Sequence, residues 1–347
     1  MKNQIEIIAT DPAYPMERPL PLNYRPIDVD LIDGESSFSI PALNVYKIKN
    51  AKLYEDGSIF TDVGLFRPSI RDAGMLSIYK WWTVMKRDVT FKKIDLPAGN
   101  YVSVIDHWGT EYYHWFVENF TRLLRIKKEV SDFTLILSER HRKPHILTSL
   151  SKIGIKDILF LEPKTRALVP NLYTCDFPGE PDFHREALIQ EVNALFKDQS
   201  EPTRKIYVSR QKAPKRKIIN ASEVEAVLKK YEYETIYAED LSFEEQVSLF
   251  NQTKSLVTLH GAGLTNILWM KPGTHVLELR KDKWGLIRET GERENSKFYN
   301  TYYHLCLALG VKYSYLSCPS NTPEESARFA DLEVDAGQLS NVLEKLQ

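Results

Sequence analysis

Apolar and polar residues alternate along this chain in two rhythms, and the second half keeps them more regularly than the first. Lys205–Ser209, Glu234–Tyr237, Ser255–Leu259 and His275–Leu279 are short runs of β-branched and aliphatic residues, the pattern of buried strands. Between them, Ser222–Lys230 and Ser242–Asn251 carry apolar residues at helical spacing. Each opens on a serine with a glutamate three residues on (Glu225, Glu245), the arrangement of a capping box. A further helix starts near Leu264, and Pro272-Gly273 breaks the chain before the last strand. This β-α-β-α-β-α-β order is that of an open, doubly wound parallel sheet, whose ligands lie outside the carboxyl ends of the strands.

The first half repeats the alternation less cleanly. Ser58–Thr61 and Tyr101–Ile105 are β-like. Tyr112 to about Lys127 is a helix, with Trp115, Phe116, Phe120, Leu123 and Leu124 on its apolar side. Phe133–Leu137 and Ile158–Leu161 are strands around a helix that Pro144 opens. A last helix covers 184–198, followed by a linker at Gln199–Thr203. Five prolines between residues 11 and 26 predict an extended leader. The expected division is a leader over 1–40, an α/β domain over 41–200, a second, Rossmann-like domain over 201–320 and a helical tail over 321–347.

Composition narrows the function classes. The 347 residues suit about two domains. Forty-six basic residues against 47 acidic ones leave no excess for nucleic acid. Cys175, Cys306 and Cys318 are widely spaced and odd in number, which argues against a disulfide framework and for a reducing, cytoplasmic compartment. The N-terminus lacks the apolar core of a signal peptide, and no apolar run approaches the roughly 18 residues of a transmembrane helix. Peripheral contact with a membrane surface stays open.

The sharpest chemical feature is Ser255-Leu-Val-Thr-Leu-His260-Gly261-Ala262-Gly263-Leu-Thr265-Asn266, a strand running through a glycine turn into a helix. Glycine permits positive φ and a close backbone approach, and a helix N-terminus offers N–H groups to an anion. His260 and Thr265 add side-chain donors; the other reading is a tight structural turn. Ser209 and Arg210 follow the first strand of this half, also at a carboxyl end, and Lys212, Lys215, Arg216 and Lys217 come next. Arginine is the side chain best suited to a diphosphate, so Arg210 and Arg216 lead the lysines, against the alternative of a solvated loop. Glu278 ends the strand after the glycine turn. Two readings stand for it: accepting from ribose hydroxyls, or pairing with Arg280 or Lys281. In the first half, His114 and Glu118 are four apart and share a helical face, an arrangement for a general base oriented by a carboxylate. A surface His–Glu pair fits the same spacing, and no third metal ligand stands at helical spacing from them.

Together these segments resemble the family-61 glycosyltransferases. The resemblance rests on Tyr207-Val-Ser-Arg210, the basic stretch to Ile219-Asn220, Leu241-Ser-Phe-Glu-Glu-Gln246, His260-Gly-Ala-Gly-Leu-Thr-Asn266, Val276-Leu-Glu278-Leu, and the helix bearing His114-Trp115 and Glu118. Ala221 departs from the acidic residue that often follows the asparagine. The resemblance implies two Rossmann-like domains facing a cleft, the B-type glycosyltransferase fold, with the acceptor on the N-terminal side and the nucleotide sugar on the C-terminal side. It implies inverting transfer from a nucleotide sugar, usually a UDP-sugar, to a saccharide or glycan acceptor, with no tightly bound cofactor. Ser209, Arg210, Arg216, His260–Gly263, Thr265 and Glu278 would hold the donor. His114, or Glu118 with His114 positioning the acceptor, would be the base. The one Asp-x-Asp, Asp28-Val29-Asp30, falls in the proline-rich leader, so metal independence is expected. A non-catalytic nucleotide- or saccharide-binding module and a sugar-nucleotide epimerase of the same two-domain shape are the alternatives.

Overall fold

The structure is a computed structural model that describes residues 5–28, 37–71, 81–178, 184–282, 300–322, 325–327 and 329–346. The chain divides into two compact units. One is formed by Met1–Tyr14 and Ser39–Glu180, the other by Pro15–Phe38 and Pro181–Gln347. Both are α/β, and the Rossmann-like expectation holds.

Among the described residues, the main sheet of the second unit has five strands: β1 (Arg204–Val208), β2 (Glu234–Ile236), β3 (Thr253–Leu259), β4 (His275–Lys281) and β5 (Lys312–Cys318). Their order in the sheet is β2-β1-β3-β4-β5, and every pairing is parallel. The chain reverses its direction of winding between β1 and β3. That is the switch point, where two loops diverge and leave a crevice for a ligand. Its helices are α1 (Glu186–Phe196), α2 (Ala221–Lys230), α3 (Phe243–Asn251), α4 (Thr301–Leu309) and α5 (Ala336–Lys345). The capping box at Ser242 and Glu245 forms with both of its hydrogen bonds. The one expected at Ser222 does not, because α2 begins a residue earlier, after Asn220. The Asn220 side chain exchanges hydrogen bonds with the backbone of Val334 instead.

Three segments join the second unit differently from the expected division. Helix α1, expected to close the first domain, packs on the second unit: Asn193 donates to the Leu268 and Met270 carbonyls (2.8 and 3.0 Å), and Phe196 meets Trp269 edge-on. Residues 15–38, expected in a leader, also belong there. Asn23 exchanges two hydrogen bonds with the backbone of Tyr315 on β5. The expected tail is core, since Leu339 and Leu343 of α5 pack with Val224 and Leu228 of α2.

The first unit holds a nine-stranded mixed sheet. Ile158–Leu161, Thr134–Ser138, Asn100–Ser103 and Thr165–Cys175 run parallel, as the alternation of strands and helices predicts. Leu43–Tyr54 then pairs antiparallel with Thr165–Cys175 and, on its other side, with Ile59–Thr61 and Ile5–Asp11. Thr165–Cys175 is central although Pro170 lies inside it, and proline normally excludes a central strand. Pro170 falls between Lys92–Asp95, which pairs with residues 165–168, and Asn100–Ser103, which pairs with 171–173. At that gap no ladder needs its missing N–H.

Candidate functional site

On the second unit, the loops after β1 and β3 bring four predicted residues together. Ser209 itself is buried, and its N–H donates to Ile236, so it fixes the exit of β1 rather than facing a ligand. Arg210 and Arg216 then reach toward the glycine turn. Arg216 adopts φ +57°, uncommon outside glycine, and its Nη1 donates to the carbonyl of His260 at 3.1 Å. Gly261 has φ +151°, and a Cβ placed on it would lie 3.1 Å from Nη1 of Arg210 and 3.1 Å from Nη1 of Arg216. Gly261 therefore clears the space in front of two guanidiniums. Neither arginine forms an ion pair among the described residues, and the Nε of each is buried without a partner. Burial lowers the pKa of both, and for Arg216 the neighbouring Arg210 adds to it. Two half-buried cations facing one cleared space are chemically suited to an anion of more than one charge.

The rest of the glycine turn serves this pair unequally. Ala262 is exposed and Gly263 half-buried, at the start of a tight helical stretch, Ala262–Trp269. Gly263 is not at positive φ, and a Cβ there would meet only Val208 Cγ1 at an ordinary 3.6 Å. Thr265 is fully buried, which removes it from a direct role with a ligand. Glu278 is also fully buried. Its two oxygens are engaged within the fold: Oε1 lies 2.5 Å from His260 Nδ1, and Oε2 accepts from Tyr313 at 2.7 Å, with the Arg280 charge close enough to act on the carboxylate. Burial pushes the Glu278 carboxyl up, but His260 and Arg280 outweigh it and hold it below the usual range. Burial pushes His260 down against the pull of Glu278. The imidazole is thus neutral near pH 7, with its Nδ1–H donating to Glu278.

On the first unit, His114 and Glu118 lie in a π-helical turn, His114–Asn119, that leads into the α-helix Phe120–Lys127. The N–H of Phe120 donates to Trp115, five residues back, and such turns gather at functional sites. Trp115 anchors the turn through its indole N–H to Ser149 (2.9 Å). His114 Nδ1 lies 2.8 Å from Glu118 Oε2. A third group joins them that no local pattern marks: Nη1 of Arg71 donates to the same Glu118 oxygen and lies 2.8 Å from His114 Nδ1. Burial pushes Glu118 up, but the charge of Arg71 and the bond from His114 outweigh it, so the group is a carboxylate at neutral pH. Asp106, buried nearby, is moved the other way by burial and by the charge of Glu118. The His114 side chain is 26% exposed and that of Glu118 5%. A reactant can reach the imidazole, with the carboxylate behind it.

Residues 112–277 match the model of the family Glycosyltransferase 61. The match supports membership of that family. No curated protein matches the chain.

The glycosyltransferase match spans His114, Glu118, Arg210, Arg216 and the whole glycine turn. It ends one residue before Glu278, and Arg71 lies outside it. Around Arg210 and Arg216, Lys212 and Lys215 turn away. Lys212 pairs with Asp240, and the Lys215 ammonium lies over the ring of Phe329. Asp28 of the Asp-x-Asp is buried, paired with Arg25 and hydrogen-bonded to the Tyr315 hydroxyl at 2.7 Å, while Asp30 lies outside the described residues. Among the described residues, no group of three or more His, Cys, Asp or Glu side chains is placed to hold a metal ion.

Proposed function

We propose that this glycosyltransferase is an inverting enzyme that moves a sugar from a UDP-sugar to a saccharide acceptor. The observation that carries this reading is the space before Gly261, faced by Arg210 and Arg216 at the switch point of an all-parallel sheet. A nucleoside diphosphate leaving group needs positive charge as its bond to the anomeric carbon breaks. The two guanidiniums and the N–H groups at the start of Ala262–Trp269 supply it without rearrangement. His260, locked by Glu278, lines the same turn. His114 is the base that takes the proton of the attacking hydroxyl. Glu118 holds Nδ1 and steadies the imidazolium that forms, as the orienting carboxylate of a catalytic dyad does. In the overall exchange the acceptor oxygen bonds to the anomeric carbon from the face opposite the diphosphate. The diphosphate leaves with the bonding pair, and the acceptor proton passes to His114.

The test is a screen of UDP-sugars with and without oligosaccharide acceptors. UDP released in step with glycosylated acceptor of inverted anomeric configuration is the expected result. Sugar interconversion without UDP release identifies an epimerase, and binding without either reaction a non-catalytic module. We also propose that catalysis needs no metal, because arginines occupy the place of a cation and Asp28 is committed to Arg25 and Tyr315. Turnover then persists in EDTA; loss that manganese or magnesium restores overturns this. The three cysteines are buried and unpaired, which fits a reducing compartment such as the cytoplasm. No helix of the described residues is long and apolar enough to cross a membrane.

A further inference from the structure

The turn before the His114 helix displays an aromatic residue that neither the dyad nor the donor side uses. Trp108 is 47% exposed. Tryptophan is highly buried on average, so an indole kept half in water beside a reactive imidazole needs a reason. Its position is built. The backbone N–H of Trp108 donates to Asp106 Oδ1 at 2.6 Å, and its carbonyl accepts from Glu111 at 2.9 Å. Asp106 is itself buried. The next residue, Gly109, admits no side chain, since a Cβ there would fall 1.9 Å from Asn119 Nδ2. The turn is therefore pinned on both sides of the tryptophan. The indole and the His114 ring have centroids 6.1 Å apart and planes 33° apart, and the His107 ring stands edge-on to the indole at 5.1 Å.

We propose that Trp108 is the platform of an acceptor subsite, on which a pyranose ring of the acceptor glycan stacks with one hydroxyl directed at His114. This inference rests on the glycosyltransferase reading above. A sugar ring presents an apolar face of C–H groups and a rim of hydroxyls. An indole face, negative at its centre, attracts those C–H groups and excludes water from them. The separation of 6.1 Å is too short for a sugar to slip between indole and imidazole. A sugar lying over the exposed part of the indole has its rim hydroxyls on the side of the neighbouring imidazole. The platform selects for a ring with a continuous C–H face, and it acts on the acceptor alone.

The experiment compares the wild type, Trp108→Ala and Trp108→Phe, using the oligosaccharide acceptor that supports coupled UDP release in the screen above. The readouts are acceptor KM, kcat at saturating acceptor, and UDP affinity by calorimetry. Loss of one aromatic stack raises acceptor KM about three- to tenfold in Trp108→Ala. Turnover at saturating acceptor and UDP affinity stay near wild type, and Trp108→Phe recovers part of the loss. An unchanged acceptor KM in Trp108→Ala overturns the proposal. So does an equal loss of UDP affinity, which would make the residue structural or part of the donor side. A wild-type protein that binds UDP and transfers to an acceptor, with variants that leave KM unmoved, refutes the subsite alone. A wild type that binds no UDP and transfers nothing overturns the glycosyltransferase reading and the subsite with it.

Discussion

The protein contains two histidine–glutamate pairs of the same chemistry and opposite construction. His114 and Glu118 are neighbours on one helical turn, the histidine is a quarter exposed, and Arg71 closes the group from outside the motif. His260, just past the end of β3, and Glu278 on the adjacent parallel strand β4 are 18 residues apart, with the glutamate wholly buried and Tyr313 on its second oxygen. The first pair is accessible and flanked by one cation, as suits a group that gains and loses a proton. The second has a histidine only 17% exposed and lies at the turn that Arg210 and Arg216 approach, as suits a group that would fix the shape of the proposed anion site. The two proposed roles differ through exposure and surrounding charges, more than through the identity of the two side chains.

The largest expected effect separates these roles. His114→Ala lowers turnover at saturating donor by about 10²–10⁴-fold, the usual contribution of a positioned base, with UDP affinity unchanged. Near wild-type turnover would pass the role to Glu118 or Asp106. The complementary break is on the other unit. Arg210→Ala weakens UDP binding by one to two decades, for a charged hydrogen bond worth about 1.5–3 kcal/mol. Gly261→Val does at least as much, since its side chain fills the space before both arginines and its φ of +151° disfavours a β-branched residue. Gly263→Ala leaves UDP affinity within about threefold, because the added methyl makes only an ordinary contact with Val208, roughly that of one buried CH₂ or less. Calorimetry on the folded variants checks all three. Equal losses at 261 and 263 would show that the turn acts as a whole rather than through the arginines.

A subtler test concerns protons. Arg71 is the chief influence that holds Glu118 down against its burial. Removing it in Arg71→Gln raises the Glu118 pKa, so the carboxylate form is lost at a higher pH. The acid limb of the pH–rate profile therefore shifts upward, while UDP affinity stays the same. A uniform loss of rate with an unmoved profile would make Arg71 a packing residue. The smallest effect is expected from the lysines: Lys212→Ala and Lys215→Ala change UDP affinity by less than about twofold, because an exposed ion pair and an exposed cation–π contact contribute little. A tenfold loss from either would bring the whole basic loop into the donor site.

What was legible in the sequence follows one physical rule. The order of strands and helices from 205 to 279, the pairing of His114 with Glu118, and the convergence of Arg210 with the glycine turn all rest on local periodicity or on the topology that this periodicity implies. A helix brings residues four apart together wherever it occurs, and a doubly wound sheet brings the ends of its first and third strands together. The preference for Arg210 and Arg216 over the lysines had the same kind of basis, in guanidinium geometry. Tertiary structure alone decided the rest. Glu278 meets His260 because β3 and β4 pair in one register, Leu259 beside Leu279, and no pattern within either strand encodes that offset. Arg71 reaches Glu118 across 47 residues of chain. Gly261 rather than Gly263 takes the positive φ, since both glycines permit it and the packing of two arginine side chains uses only one. Thr165–Cys175 became a central strand despite Pro170 because its two parallel neighbours leave a gap at that residue. Local sequence sets which conformations are cheap. Which distant groups then share a dry interior depends on register and packing, which belong to the assembled fold.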